Sequence, residues 1–297
     1  MDETEAYIKA GRIAAQVRET IRGEVKPGVK VIDVCERVES LTRSFGGAPA
    51  FPCNVDIDQV AAHYVSPVGD QTVLREGTLV KVDIGVHVEG YIADTAVTVC
   101  LDPSLQPMAK AAEDALEVAL RMIKPGARAQ DIGATIEHLI RNRGFKPIRN
   151  LTGHKLGRFT VHAGRSIPNV AGFELHKLEL GEVYALEPFT VLPGSSGMVR
   201  DGPPSNIYRF EKKRSVTNSV AKEMLQVIQA EYRTLPFASR WLLQRFPGPE
   251  GQRGFQDLLS SRCIAGYPQL IEKSGAKVAQ AEHTIIVTAD GGLVTTR

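Results

Sequence analysis

Apolar residues recur at helical spacing in four stretches of the chain. Ala10, Ile13, Ala14, Val17 and Ile21 share one face, which predicts an amphipathic helix over 4–22. Val31, Val34, Cys35, Val38 and Leu41 predict a second helix, and Gly46-Gly47-Ala48-Pro49 breaks it. Met108, Ala111, Ala112, Ala115, Leu116, Ala119 and Ile123 predict a third; Ile132, Ile136, Leu139 and Ile140 predict a fourth. Between these pairs the pattern changes. Thr78 to Val86 and Tyr91 to Cys100 are rich in β-branched residues and flank Glu89-Gly90, the pattern of a β-hairpin. Further strand-like segments lie around 158–163 and 182–192.

The layout repeats itself. Lys26-Pro27-Gly28 precedes Asp33-Val34, and Lys124-Pro125-Gly126 precedes Asp131-Ile132 at the same spacing. Each Asp falls near the first turn of the next helix, where the helix dipole favours an anion. Leu74 and Gly77 precede Asp83 as Leu178 and Gly181 precede Glu187, with six residues from glycine to carboxylate in both. Two halves, each helix–helix–strands, are expected, with Asp83 and Glu187 facing each other across a pseudo-twofold axis. Residues 203–265 interrupt the second half. Pro203-Pro204 opens the segment; helical patterns follow near 216–231 and 235–245, and Phe246-Pro247-Gly248-Pro249 precedes a third near 252–261. This predicts an inserted helical subdomain, with 1–202 and 266–297 forming the main domain.

Composition narrows the class without naming a chemistry. The 297 residues carry a net charge of +2, and the densest basic run, Lys212-Lys213-Arg214, is three long, so no nucleic-acid partner is expected. Cys35, Cys53, Cys100 and Cys263 are too sparse for a disulfide scaffold, which favours reduced thiols. No signal peptide or apolar run of about 20 residues is visible, so a soluble cytoplasmic protein with no membrane association is expected.

The candidate chemistry lies in polar residues set among apolar ones. Asp83 and Asp94 sit on the two hairpin strands; pairing them directly would leave His87 to Gly90 as a four-residue loop and bring the carboxylates close together. Such carboxylates repel unless they share a proton or a cation, or unless one turns outward or pairs with Lys81. Glu187 lies in the apolar run Val183 to Phe189, and Glu282 precedes the strand-like His283 to Val287. His154 follows Thr152-Gly153, and His162 comes eight residues later. Four carboxylates and one imidazole match the charge and donor chemistry of two divalent ions such as Mn, Fe, Co or Zn. Such a pair can polarise a carbonyl and lower the pKa of a water.

At these residues the chain resembles a known family. The run from Gly153 to Gly164, with His154, Gly157 and His162 inside it, is similar to the GHxxGxxxxHxG segment of type 2 methionine aminopeptidases. Phe51-Pro52 with Ala61-Ala62-His63-Tyr64, the Asp83 and Asp94 hairpin, and Ala279-Gln280-Ala281-Glu282-His283-Thr284 match further family segments, so the likeness spans nearly the whole chain. One departure is Ala281, where the family often has Phe. The resemblance implies an α+β pita-bread fold, creatinase/aminopeptidase-like, with a winged-helix-like insertion at 203–265. It implies two divalent metals: Asp94 and Glu282 bridging, Asp83 on one, His154 and Glu187 on the other. His63, His162 and Glu187 would be catalytic, with His162 toward the carbonyl oxygen, His63 toward the amide of the second residue, and Glu187, or a bridging carboxylate, moving a proton. Phe51, Val161 and Tyr267 would line the methionine pocket, and His63 and His162 would bind the substrate beside it. The implied activity is removal of the initiator methionine from nascent chains when the second residue is small, by metal-activated water attack on the peptide carbonyl. It implies a monomer, compatible with work near the ribosome, and archaeal-like in starting close to the catalytic domain without a polybasic extension.

Two other readings share part of this pattern. Prolidases and aminopeptidase P have the same fold and ligand types, but usually carry an N-terminal domain for which there is no room before Phe51. A catalytically silent relative, kept as a protein- or RNA-binding module, would be expected to lose ligands. His87, His138, His176 and His283 are expected to bind no metal, His283 because it points to the opposite strand face from Glu282. Cys53, close to Phe51 in sequence, is expected to be a buried structural thiol rather than a pocket residue.

Overall fold

The computed structural model describes residues 1–297. Helix α1 (Glu3–Glu24) opens with Asp2 and Glu5 capping each other's backbone N–H, which satisfies two of its free donors. With α2 (Val31–Ser44) it covers a sheet of β1 (Asn54–Ile57), β2 (Leu79–Val88) and β3 (Tyr91–Cys100), with β2 in the centre. The second half answers with α3 (Gln106–Met122) and α4 (Ala129–Asn142). They pack over a sheet that runs from β4 (Thr152–Leu156) through β5 (Val183–Leu186) to the C-terminal pair. Each helix pair buries its apolar stripe: Ala10, Ile13, Val17, Val34 and Val38 in one core, and Ala112, Leu116, Ile132 and Ile136 in the other.

The duplication read in the sequence is visible in backbone detail. Gly28 N donates to Leu74 O at 2.9 Å and Leu74 N returns a bond to Val29 O at 2.9 Å. In the second half Gly126 N donates to Leu178 O at 2.8 Å and Leu178 N to Ala127 O at 2.9 Å. Both KPG glycines adopt positive φ, 91° and 83°, which a residue with a Cβ enters at a cost.

Three local expectations need correction. In the hairpin Asp94 stands opposite Gly85, and Asp83 opposite Ala96. The loop is the two-residue Glu89-Gly90 turn, not four residues, because both take positive φ, 52° and 92°, as the tight turn matched to strand twist requires. Asp83 and Asp94 are therefore diagonal neighbours on one face, with Cβ atoms roughly 7–8 Å apart or somewhat less. Residues 158–163 form a turn, not a strand: Gly157 pairs with Thr160 around Phe159 at φ 54°. The strand of this region is β4, which carries His154. In 182–192 the chain breaks at Glu187-Pro188 between β5 and β6 (Phe189–Val191), so Glu187 leaves the ladder at the strand end.

Residues 203–265 hold three short helices, α5 (Ser219–Val227), α6 (Ser239–Arg245) and α7 (Gly248–Ser260), around their own core of Ala221, Met224, Phe237, Leu242 and Leu258. They hang between β7 (Val199–Phe210) and β8 (Ile264–Glu272), which pair with each other. Pro203 and Pro204 lie inside β7, where the register shifts on both sides of Pro204, the irregularity that donor-less residues impose on a ladder. The last strands are β9 (His283–Thr288), beside β5, and β10 (Gly291–Val294). No helix is long and apolar enough to cross a membrane.

Candidate metal centre

Where the two halves meet, threonines stitch β3 to β9 and the segment before it. Asp94 N donates to Thr284 Oγ1 at 2.7 Å and Thr284 Oγ1 donates to Asp94 O at 2.8 Å. Thr95 Oγ1 donates to Glu282 O at 2.8 Å while accepting from the buried Arg18 guanidinium at 2.6 Å. Thr98 Oγ1 bonds Gln280 O at 2.6 Å. These bonds hold Asp94 and Glu282 side by side at the pseudo-twofold seam.

All of the sequence-predicted site residues line one cavity of about 230 Å³. Asp83 and Asp94 come from the first half, His154, Glu187 and Glu282 from the second, and Phe51, His63, Val161, His162 and Tyr267 surround them. Asp94, His154 and Glu282 offer ligand atoms that all lie within 4.8 Å of one another. His154 Nε2 lies 3.7 Å from Asp94 Oδ2 and 3.6 Å from Glu187 Oε1. Its other nitrogen, Nδ1, is 2.8 Å from Val161 O. A carbonyl only accepts, so Nδ1 carries the proton and the Nε2 lone pair is left for the cluster, the arrangement found at metal-binding imidazoles.

The electrostatics are those of a set of acceptors with too few donors. Burial first, then the neighbouring carboxylates, pushes Asp83, Asp94, Glu187 and Glu282 well above the ordinary carboxylate range. Burial, helped by His162, lowers His154 to about 3, so its ring is neutral. Asp83 Oδ1 and Asp94 Oδ1 are buried with no hydrogen-bond partner. Lys81, whose ammonium could have neutralised an aspartate here, instead donates to Asp58 O at 3.1 Å and Val278 O at 3.0 Å. Buried carboxylates left in this condition fit divalent cations, and the donor set of oxygens with one imidazole suits first-row metals.

The flanking histidines stand apart from the carboxylates in role. His63 adopts φ 75°, outside the region most residues occupy, and places Nδ1 3.2 Å from Pro268 O. Its Nε2 is then a bare acceptor, since burial lowers the ring to about 4. The His162 ring lies 4.3 Å from that of His154, and burial lowers its pKa too. Tyr267 packs edge-on to His63 at 5.8 Å. Cys53 is buried and is not among the cavity-lining residues; Cys35 Sγ donates to its carbonyl oxygen at 3.4 Å. His283 turns away from the cluster to Thr296 and Arg18.

Two residues of the site carried no assignment from the sequence. Gln280 Nε2 lies 3.4 Å from both Glu187 Oε2 and Glu282 Oε2, a donor bridging carboxylates from separate strands. Its position two residues before Glu282, on the same face of an extended segment, was the available signal. Asn54 lines the cavity opposite Asp83.

A duplicated α+β fold that buries four carboxylates and one free imidazole nitrogen at its seam defines a metalloprotein of the pita-bread class. Residues 5–289 match the metallopeptidase family M24, and the chain belongs to that family. It is 44% identical to a methionine aminopeptidase of Thermococcus kodakarensis, over all of both chains. A methionine aminopeptidase of Methanothermobacter thermautotrophicus is also 44% identical, covering 98% of each chain. Among solved structures, a methionine aminopeptidase of Thermotoga maritima shares the fold with a TM-score of 0.72 at 23% identity, covering 99% of this chain and 96% of that one.

Proposed function

We propose that this protein removes the N-terminal methionine from peptides and nascent chains whose second residue is small. The observation that carries the reading is the convergence of Asp83, Asp94, His154, Glu187 and Glu282 on one cavity, with unpartnered carboxylate oxygens at its centre. The full-length similarity to archaeal methionine aminopeptidases supports it over an X-Pro peptidase, and the complete carboxylate–imidazole set argues against a silent binding module. Asp94 and Glu282, held together at the seam, would bridge two divalent ions, with Asp83 on one and His154 and Glu187 on the other. Metal bound there would supply Lewis-acid polarisation of the carbonyl and a water nucleophile at neutral pH.

The chain's own groups then divide the remaining work. His162 donates to the scissile carbonyl oxygen as it gains negative charge. His63, with Nδ1–H committed to Pro268, accepts the amide N–H of the second residue through Nε2. Glu187, at a strand end beside His154, carries the proton from water to the departing amine. Phe51 and Val161, which pack in one apolar cluster, and Tyr267 receive the unbranched thioether by burial and sulfur–aromatic contact. Residues 203–265 serve as an inserted subdomain on the catalytic domain of 1–202 and 266–297, and lend Ile207 and Pro236 to the cavity wall.

The test is cleavage of Met-Ala-Ser, Met-Lys-Ser, Leu-Ala-Ser, acetyl-Met-Ala-Ser and an X-Pro peptide at equal metal loading. Rapid cleavage of Met-Ala-Ser alone supports the reading. Comparable rates on Leu-Ala-Ser would replace it with a broad aminopeptidase, and cleavage of an X-Pro peptide instead would place the protein with the prolidases.

A further inference from the structure

Asn54 begins β1 and stands opposite Asp83 on the central strand, so the two side chains share a face. It is 2% exposed and lines the cavity with Phe51 and Asp83. Its amide nitrogen donates to Pro52 O at 2.9 Å. Because that carbonyl can only accept, the amide orientation is fixed and Oδ1 is the end left over. Oδ1 is buried and has no hydrogen-bond partner. A buried amide oxygen is rarely left in this state.

The cavity groups beside it in register and sequence cannot satisfy it. As metal-holding carboxylates Asp83 and Asp94 only accept and have unpartnered oxygens of their own, and Phe51 is apolar. The missing donor therefore arrives with the ligand. This step rests on the aminopeptidase reading above: the residue that enters first brings a thioether and a carbonyl oxygen, which donate nothing, and an α-amine, which does. Side chain and amine leave the same Cα. With the side chain laid against Phe51, Asn54 beside Asp83 is an acceptor in the same cavity within which that amine must lie.

We propose that Asn54 Oδ1 accepts a hydrogen bond from the α-amine of the substrate's N-terminal residue, and that Asn54 is a binding residue for the free amino terminus. The amide is neutral, so it orients the amine without adding a charge to the carboxylate cluster. Phe51 and Asn54, three residues apart, then read the two features that together mark an N-terminal methionine, its side chain and its free amine.

The experiment uses the Mn-loaded protein and its Asn54→Leu variant, which deletes the acceptor at similar volume. Calorimetry measures binding of L-methionine and of 4-(methylthio)butanoate, the same molecule without the amine, and elemental analysis counts bound metal. We expect the variant to bind L-methionine roughly tenfold more weakly while its affinity for 4-(methylthio)butanoate and its metal content stay unchanged. KM for Met-Ala-Ser should rise in parallel. Equal weakening of both probes would assign Asn54 to pocket packing, loss of metal would make it a ligand, and no change would make it a bystander; each overturns the proposal. If Asn54→Leu does not fold, Asn54→Ser, too short to reach, reads the same ratio. A parent protein that cleaves no Met-peptide while binding L-methionine with the amine preference would remove the aminopeptidase reading and leave the amine subsite standing.

Discussion

Gly85→Ala probes how tightly the apolar wall is built against the carboxylates. Gly85 stands opposite Asp94 in the hairpin, and the Phe51 ring fills the space where a side chain would be. A Cβ at this position would lie 2.3 Å from Phe51 Cε1, 2.4 Å from Cδ1 and 2.7 Å from Cζ. Carbon atoms in contact prefer about 3.5–4.0 Å, so the ring must retreat by more than an ångström. Its one open side is the cavity, because it is otherwise enclosed, 8% exposed and packed in a cluster with Ala50, Leu156 and Val161. Overpacking of this kind costs about 1–3 kcal/mol. At roughly 2–4 °C per kcal/mol for a chain near this size, Tm should fall by several degrees. The displaced ring also narrows the methionine pocket, so KM for Met-Ala-Ser should rise more than kcat falls. Metal content should stay unchanged, because β2 and β3 keep their register and with it Asp83 and Asp94. Thermal denaturation, steady-state kinetics and elemental analysis on one preparation read all three. A variant with unchanged Tm and unchanged KM would refute the packing argument.

Other perturbations separate further roles. His162→Ala should keep the metals and lower kcat by roughly 10²–10³, the effect of losing one oxyanion donor, whereas Glu282→Ala should lose metal in elemental analysis. Arg240 and Glu39 form a buried ion pair that joins the insertion to α2, with Trp241 Nε1 donating to the same carboxylate at 2.8 Å. Arg240→Leu should destabilise the protein by about 3–5 kcal/mol in urea, and Glu39→Leu with Arg240→Leu should recover much of the loss. The four site carboxylates have folded-state pKa values raised by burial and by one another, so in the chelated protein the stability they contribute is present at low pH and lost as pH rises through the raised values. Saturating Mn should therefore stabilise the protein more at pH 8 than at pH 5.5, and a Tm difference that shrinks with pH would contradict the assignment.

Much of this architecture was legible in the chain because it rests on periodicity and punctuation. The four long helices follow from apolar spacing, and the duplication from two KPG turns and two glycine-to-carboxylate intervals that recur as matching backbone bonds. The site residues were legible as polar groups in apolar runs, and the family resemblance sorted them into roles. What escaped depended on backbone torsion or on partners distant in sequence. The hairpin register turned on the left-handed conformations of Glu89 and Gly90, and Thr160 and Val161 look strand-like although Gly157 and Phe159 close a turn there. Gln280 and Asn54 gain meaning only when Glu187 and Asp83 are brought beside them, from 93 residues away in the first case.

Five side chains from two pseudo-symmetric halves are expected to hold two metal ions in one cavity. Anomalous diffraction from crystals equilibrated with Mn tests this arrangement most directly. Two peaks about 3.5–4 Å apart are expected, with Asp94 and Glu282 touching both, Asp83 touching one, and His154 and Glu187 touching the other. Peaks elsewhere in the molecule, or any of the five side chains turned out of the cavity in the metal-loaded protein, would contradict it.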